Sequence, residues 1–148
     1  MASLSQHELF ELHFRAIAAR GLRKVTSLAR EDPFIVVRCR DEQVKSEVVR
    51  EGDVNPVFGA DGAGWVSMVH ACVEDNITFA VVHEGGLASS EAIIGTMYIS
   101  ANALVSGDVV EDWFEITHNG SPAGTLHMRL QLMHLLYPKG LPRRNYKN

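Results

Sequence analysis

Apolar side chains take every second position through Leu12, Phe14, Ala16 and Ala18, and again through Leu126, Met128, Leu130 and Leu132. That alternation marks strands with one buried face. Short runs rich in β-branched and aromatic residues predict further strands over residues 34–40, 44–50, 65–71, 76–82, 93–99 and 112–116. With the first strand, from Leu12 to the Gly21-Leu22 break, and the last, over residues 124–133, the number reaches eight. Ala101 to Ser106 read as a short helical turn, and His118-Asn119-Gly120 as a tight turn. Turn signals recur every ten residues or so and no strand-by-helix repeat occurs. The pattern therefore predicts an all-β, eight-stranded antiparallel Greek-key sandwich rather than a parallel α/β sheet.

Around this core, residues 1–11 form a lead-in. Ser5 and Glu8 there have the spacing of a capping box, and a frayed approach to the first strand is the alternative. The expected domain spans residues 12–133, and residues 134–148 make a loose basic tail with Lys139, Arg143, Arg144 and Lys147.

The breakers fall in a particular order. Asp32-Pro33-Phe34 opens the second strand, Asn55-Pro56-Val57-Phe58 follows about twenty residues later, and an acidic loop begins at His83-Glu84-Gly85-Gly86. Ile93-Ile94-Gly95-Thr96 then starts the next strand. Over residues 12–133 this order resembles the C2 domains, β-sandwiches whose loops at one end bind calcium, lipid or protein. Starting at Ala19-Arg20-Gly21-Leu22 and adding a strand beyond Trp113-Phe114-Glu115-Ile116 resembles the permutation termed type II.

The resemblance implies where calcium ligands would lie. The Asp-Pro aspartate is Asp32, but the first-loop aspartate six residues earlier falls on Thr26. In the third loop, strand alternation places His83 and Gly85 at the ligand positions, whereas counting back from Gly95 places Glu84 and Gly86 there. The last position falls at Glu91 or Ala92. Calcium takes six to eight oxygens. One aspartate and at most two glutamates fall short, so no cofactor is expected and these positions are read as a degenerate, empty calcium site. Asp32 also reads as an Asx-type cap on its own turn.

Two basic surfaces offer other uses. Arg23, Lys24 and Arg30 surround Val25 and Leu28 in the first loop, and Leu87 lies in the third; together they resemble a collar that docks on anionic lipid. Arg38, Arg40, Lys45 and Arg129, with Arg50 and His127, lie on strands two, three and eight or beside them, where the resemblance implies a headgroup-binding face. A solvated, salt-bridged surface is the plain alternative for both.

Composition narrows the function. The 148 residues carry a net charge of −4, with 14 Lys and Arg against 18 Asp and Glu. Residues 51–118 hold eleven of the acids and no Lys or Arg. Such a chain, with no stacking motif, is not expected to bind nucleic acid. No apolar run reaches bilayer length, and no secretory or lipidation signal is visible. Cys39 and Cys72 read as reduced core thiols, with a disulfide as the alternative. Both fit a cytoplasmic protein, peripheral to a membrane or cytoskeletal structure if attached to either. The seven histidines form no metal pattern, and His70 with Cys72 lacks an orienting third group. The reading is a non-catalytic, calcium-independent module that docks on a protein partner; the alternative is attachment to an anionic membrane through the basic and apolar loops, with weak calcium binding.

Overall fold

The computed structural model describes residues 9–27, 29–59, 66–85 and 91–135, the backbone alone over residues 66–70. Eight antiparallel strands follow in chain order: β1 (Phe10–Arg20), β2 (Pro33–Cys39), β3 (Glu42–Lys45), β4 (Val66–Ala71), β5 (Asn76–His83), β6 (Ala92–Ser100), β7 (Val110–His118) and β8 (Ser121–His134). A short 3-10 turn, Ala101–Leu104, follows β6, with Ser100 capping it. The spatial order is β3-β2-β5-β6-β7-β8-β1-β4, and β6 and β7 share only the Thr96–Thr117 pair. That weak join divides the strands into two layers, β3-β2-β5-β6 and β7-β8-β1-β4. The first and last strands, β1 and β8, lie side by side.

The inner faces bury Leu12, Phe14, Ile35, Val37, Ile77, Phe79, Ile94, Leu126, Met128 and Leu130. Burying each Leu, Ile or Phe side chain contributes about 1.5–3 kcal/mol, which fixes the face each strand turns inward. The domain is wider than expected: Phe10 is buried and its ring lies 4.9 Å from that of His134, so the sandwich takes in the end of the lead-in and the start of the tail. From Phe10 the chain is already β1, paired on both sides, in line with a strand approach there and not a capped helix. Ser5, Glu8 and residues 136–148 lie outside the described residues.

Two departures from simple alternation have local causes. In β1 the register slips between Ala16 and Ala18, a bulge that sends Ala19 rather than Ala18 into the core. The third strand ends at Lys45 instead of 50 because the Ser46 hydroxyl accepts the Ile35 N–H at 2.8 Å in place of a backbone carbonyl. The His118–Ser121 turn carries Asn119 and Gly120 at φ 52° and 82°, the primed geometry that matches strand twist. Gly95 explains the Ile-Gly signature. A Cβ there would sit 2.8 Å from Ala123 Cβ and 3.0 Å from Ile116, so only glycine lets β6 close on β7 and β8.

Both thiols are buried and free. Burial, then the nearby Asp75 carboxylate, pushes the Cys39 thiol up to about 11. Cys72 lies just past the end of β4 rather than on the strand with His70; its N–H donates to Asp75 Oδ2 at 2.7 Å.

Candidate loop-end site

The Asp-Pro step places Asp32 where β2 emerges from the first loop, because proline removes a donor and pushes its neighbour into extended geometry. Its main chain ties two loops together. Asp32 N–H donates to His83 Nδ1 at 3.0 Å, and its carbonyl accepts Glu84 N–H at 3.0 Å. Its Oδ1 accepts the N–H of Glu51 at 2.6 Å, nineteen residues on. The Asx-cap reading is therefore corrected: this carboxylate is a tether between loops, not a cap on its own turn. Glu51 and Asp53 hold φ of 55° and 58°, a left-handed conformation that is costly for a glutamate and that the Asp32 bond to Glu51 N–H helps to hold.

Beside it lies a residue that the sequence reading missed. Glu31 is fully buried, and its Oε2 accepts Val25 N–H at 2.7 Å, Thr26 N–H at 3.0 Å and the Thr26 hydroxyl at 3.1 Å. Lys24 Nζ stands 3.1 Å from Oε1 and 3.1 Å from Asp53 Oδ1. Burial alone would raise the Glu31 carboxyl. The amides of Val25 and Thr26, with Lys24, outweigh it and hold the group at about 2. In return Glu31 first, and Asp53 second, push the Lys24 ammonium above its usual value.

A second cation fills the neighbouring gap. Arg50 pairs with Glu84 through Nη1, which also lies 4.0 Å from Asp32 Oδ2. An open cavity of about 440 Å³ adjoins this pair, lined by Ala29, Arg30, Asp32, Arg50 and Glu51.

Of the five calcium-type positions, the fold brings Asp32, His83 and Glu84 together and leaves Glu91 exposed, away from any described partner. The two registers considered for the third loop differ because β5 and β6 slip between Val81 and Val82, where β6 carries one extra residue. His83 consequently points inward, 3% exposed, and Glu84 is the carboxylate at the loop end. Thr26 binds within its own loop and not to Asp32 or Glu84: its one hydroxyl proton is shared between Ala29 O at 2.6 Å and Glu31 Oε2 at 3.1 Å. Among the described residues no three His, Cys, Asp or Glu side chains converge as metal ligands.

The expected lipid collar is largely tied down. Arg23 crosses to β6, where Nε donates to Ile94 O at 3.0 Å and Nη2 to Ile93 O at 2.7 Å. Lys24 is bound as described, and Val25 packs half-buried against the core. Arg30 is exposed at the cavity. Leu28 and Leu87 lie outside the described residues.

The expected basic face is not one face. Arg38 and Lys45 share the outer side of the first layer, where Arg38 donates to Gln43 Oε1 and Lys45 Nζ sits 5.7 Å from the Phe34 ring. Arg40 leaves the strand at the two-residue β2–β3 turn with φ 56°, and its Nε pairs with Asp75 at 2.8 Å. Arg129 and His127 belong to β8 in the other layer and face the opposite side of the sandwich. Alternation within a strand gives a local face but does not say which layer the strand joins.

A model of the C2 domain matches residues 10–116 of the chain. Among solved structures, the C2A domain of plant extended synaptotagmin 1 superimposes with a TM-score of 0.68 at 16% identity, covering 88% of this chain and 97% of that one. The calcium-bound C2A and C2B domains of extended synaptotagmin 2 give 0.65 at 21% identity, over 86% of this chain and 46% of that one. Human GIVD cytosolic phospholipase A2 gives 0.69 at 14% identity, over 87% of this chain and 17% of that one. At these identities the likeness is one of fold. No curated protein matches the chain by sequence.

Proposed function

Because the chain belongs to the C2 domain family, we propose that it is a non-catalytic docking module that works without calcium and engages a protein partner. One observation carries this reading: side chains of the protein itself stand where a metal would balance the loop carboxylates. Lys24 lies between Glu31 and Asp53, and Arg50 between Glu84 and Asp32. Calcium needs six to eight oxygens with lone pairs to offer. Here Glu31 Oε2 already accepts three hydrogen bonds and Asp32 Oδ1 one. An incoming ion would have to displace two tethered cations, so the residues present do not fit calcium.

Charge favours protein over membrane. Among the described residues of the loop end, Lys24, Arg30 and Arg50 lie with Glu31, Asp32, Glu51, Asp53 and Glu84, three cations against five carboxylates. An anionic bilayer rewards each nearby Lys or Arg by about 1 kcal/mol and repels the carboxylates. Arg38 and Lys45 on the first layer would add about 2 kcal/mol, a weak attachment. Tyr98, 70% exposed in the cross-strand row of Arg38 and Thr78, is the one feature that favours lipid there.

Sedimentation with phosphatidylserine vesicles, with calcium or chelator and at low and high salt, tests the reading. The expected result is negligible pelleting in all four conditions. Pelleting that requires calcium would overturn calcium independence; pelleting in chelator that high salt removes would replace the protein partner with a membrane.

A further inference from the structure

The outer side of the second layer carries charges that the loop-end site does not use. On β1 and β8, Arg15 and Arg129 are directly opposite one another. Like charges at such a pair repel. Across the next strand Glu111 faces Arg129, and this one carboxylate already takes Arg129 Nε at 2.8 Å and His127 Nε2 at 3.0 Å. Among the described residues nothing comparable answers Arg15. Its Nε is buried without an acceptor, and it forms no ion pair among the described residues. Among the described residues Arg129 thus has a carboxylate partner and Arg15 has none.

The adjacent row is apolar. Trp113 stacks on His127 with ring centroids 4.7 Å apart, and Arg20 lies 4.3 Å from the centre of the Trp113 ring. The row continues through Ala18 to Val57, bridged to it and 57% exposed. Arg15 and Arg129 thus line one side of the apolar strip, and on its other side Arg20 shares a row with Thr125 and the exposed Glu115.

We infer that this face, centred on Arg15, Arg129 and Trp113, docks an acidic segment of a partner protein. The inference rests on the protein-docking reading above. A carboxylate suits the vacancy because guanidinium groups bind it through paired, charge-assisted hydrogen bonds. Spacing adds a second requirement. The charged and apolar rows are two residues apart along β8, about 7 Å. An extended partner segment turns residues i and i+2 to one side at the same interval. The fitting sequence is an acidic residue, any residue, then an aromatic or large aliphatic one.

The probe is the blocked peptide acetyl-Ser-Glu-Ser-Phe-Ser-amide, titrated into the isotope-labelled protein in chelator and followed by NMR. Its reversed-charge analogue, with lysine in place of glutamate, is the control. The glutamyl peptide is expected to shift the Arg15 and Arg129 Nε–H and Trp113 indole signals, and the lysyl peptide to leave them in place. Arg15→Gln should weaken the affinity about ten-fold, the loss of one charge-assisted contact. Glu111→Gln removes the competing carboxylate and should tighten binding about three-fold, a gain that unfolding cannot imitate. Absence of shifts at millimolar peptide, shifts centred on Arg38 and Lys45, weaker binding in Glu111→Gln, or movement of these signals by phosphatidylserine vesicles instead of peptide would each overturn the inference. Shifts at this face only when calcium is added would keep the surface and refute calcium independence; their absence with and without calcium would refute the surface alone.

Discussion

Replacing Glu31 by glutamine isolates the charge that organises the first loop. The carboxylate is fully buried and accepts hydrogen bonds from Val25 N–H, Thr26 N–H and the Thr26 hydroxyl. Each pH unit between folded and unfolded titration corresponds to about 1.4 kcal/mol. A carboxyl titrating at about 2 rather than 4.5 therefore stabilises the fold by up to ~3 kcal/mol when ionised. Glutamine retains one oxygen acceptor but neither the charge nor the attraction to Lys24, so Glu31→Gln should cost about 2–3 kcal/mol at neutral pH. For a domain of this size that lowers the melting temperature by roughly 10 °C. The sign with pH follows from the depressed value. The stabilisation is complete above 4.5 and is lost as the pH falls towards 2. Urea unfolding of both proteins at neutral pH and at intervals down to about pH 3 should show a stability gap that narrows only below pH 4.5. Equal midpoints at neutral pH, or a gap that stays constant through the acid range, would refute the assignment of Glu31 as the loop's ionised anchor.

Two further outcomes follow from packing. Gly124 has φ +124° and a Cβ there would meet Arg20 O at 2.9 Å, whereas Gly120 at φ +82° has open space. Gly124→Ala should cost more than about 2 kcal/mol and Gly120→Ala only about 1 kcal/mol, and equal urea midpoints would contradict the close approach of β8 to the β1 turn. With Cys39 and Cys72 buried and the Cys39 thiol at about 11, neither should react with an aromatic disulfide reagent until the protein unfolds. Rapid labelling of the native protein would show that the core opens.

The strands were legible because a one-sided sheet imposes a two-residue period, and Leu12-Phe14-Ala16 and Leu126 to Leu132 carry it in full. The breakers were legible too. Asn55 of the Asn-Pro step accepts Gly21 N–H at 3.0 Å, and Phe58 after it is buried, so that signature marks a real junction. The loop end was legible only in part. Asp32 and Glu84 were found at the site, but Arg50, Asp53 and Glu31 were not, because their pairings join loops far apart in the chain. Only the closed fold makes those distances short. The signal available was Glu31 itself, a second acid beside the Asp-Pro step with Lys24 in the same loop. The basic face failed for a related reason: β2 and β8 alternate identically but belong to opposite layers.

The central claim is that Lys24 and Arg50 stand in for a metal at the loop carboxylates. An amide NMR titration with millimolar calcium tests it most directly, read at Thr26, Asp32, Glu51 and Glu84. Unchanged signals are the predicted result. Saturable shifts at those four amides, reversed by chelator, would contradict it.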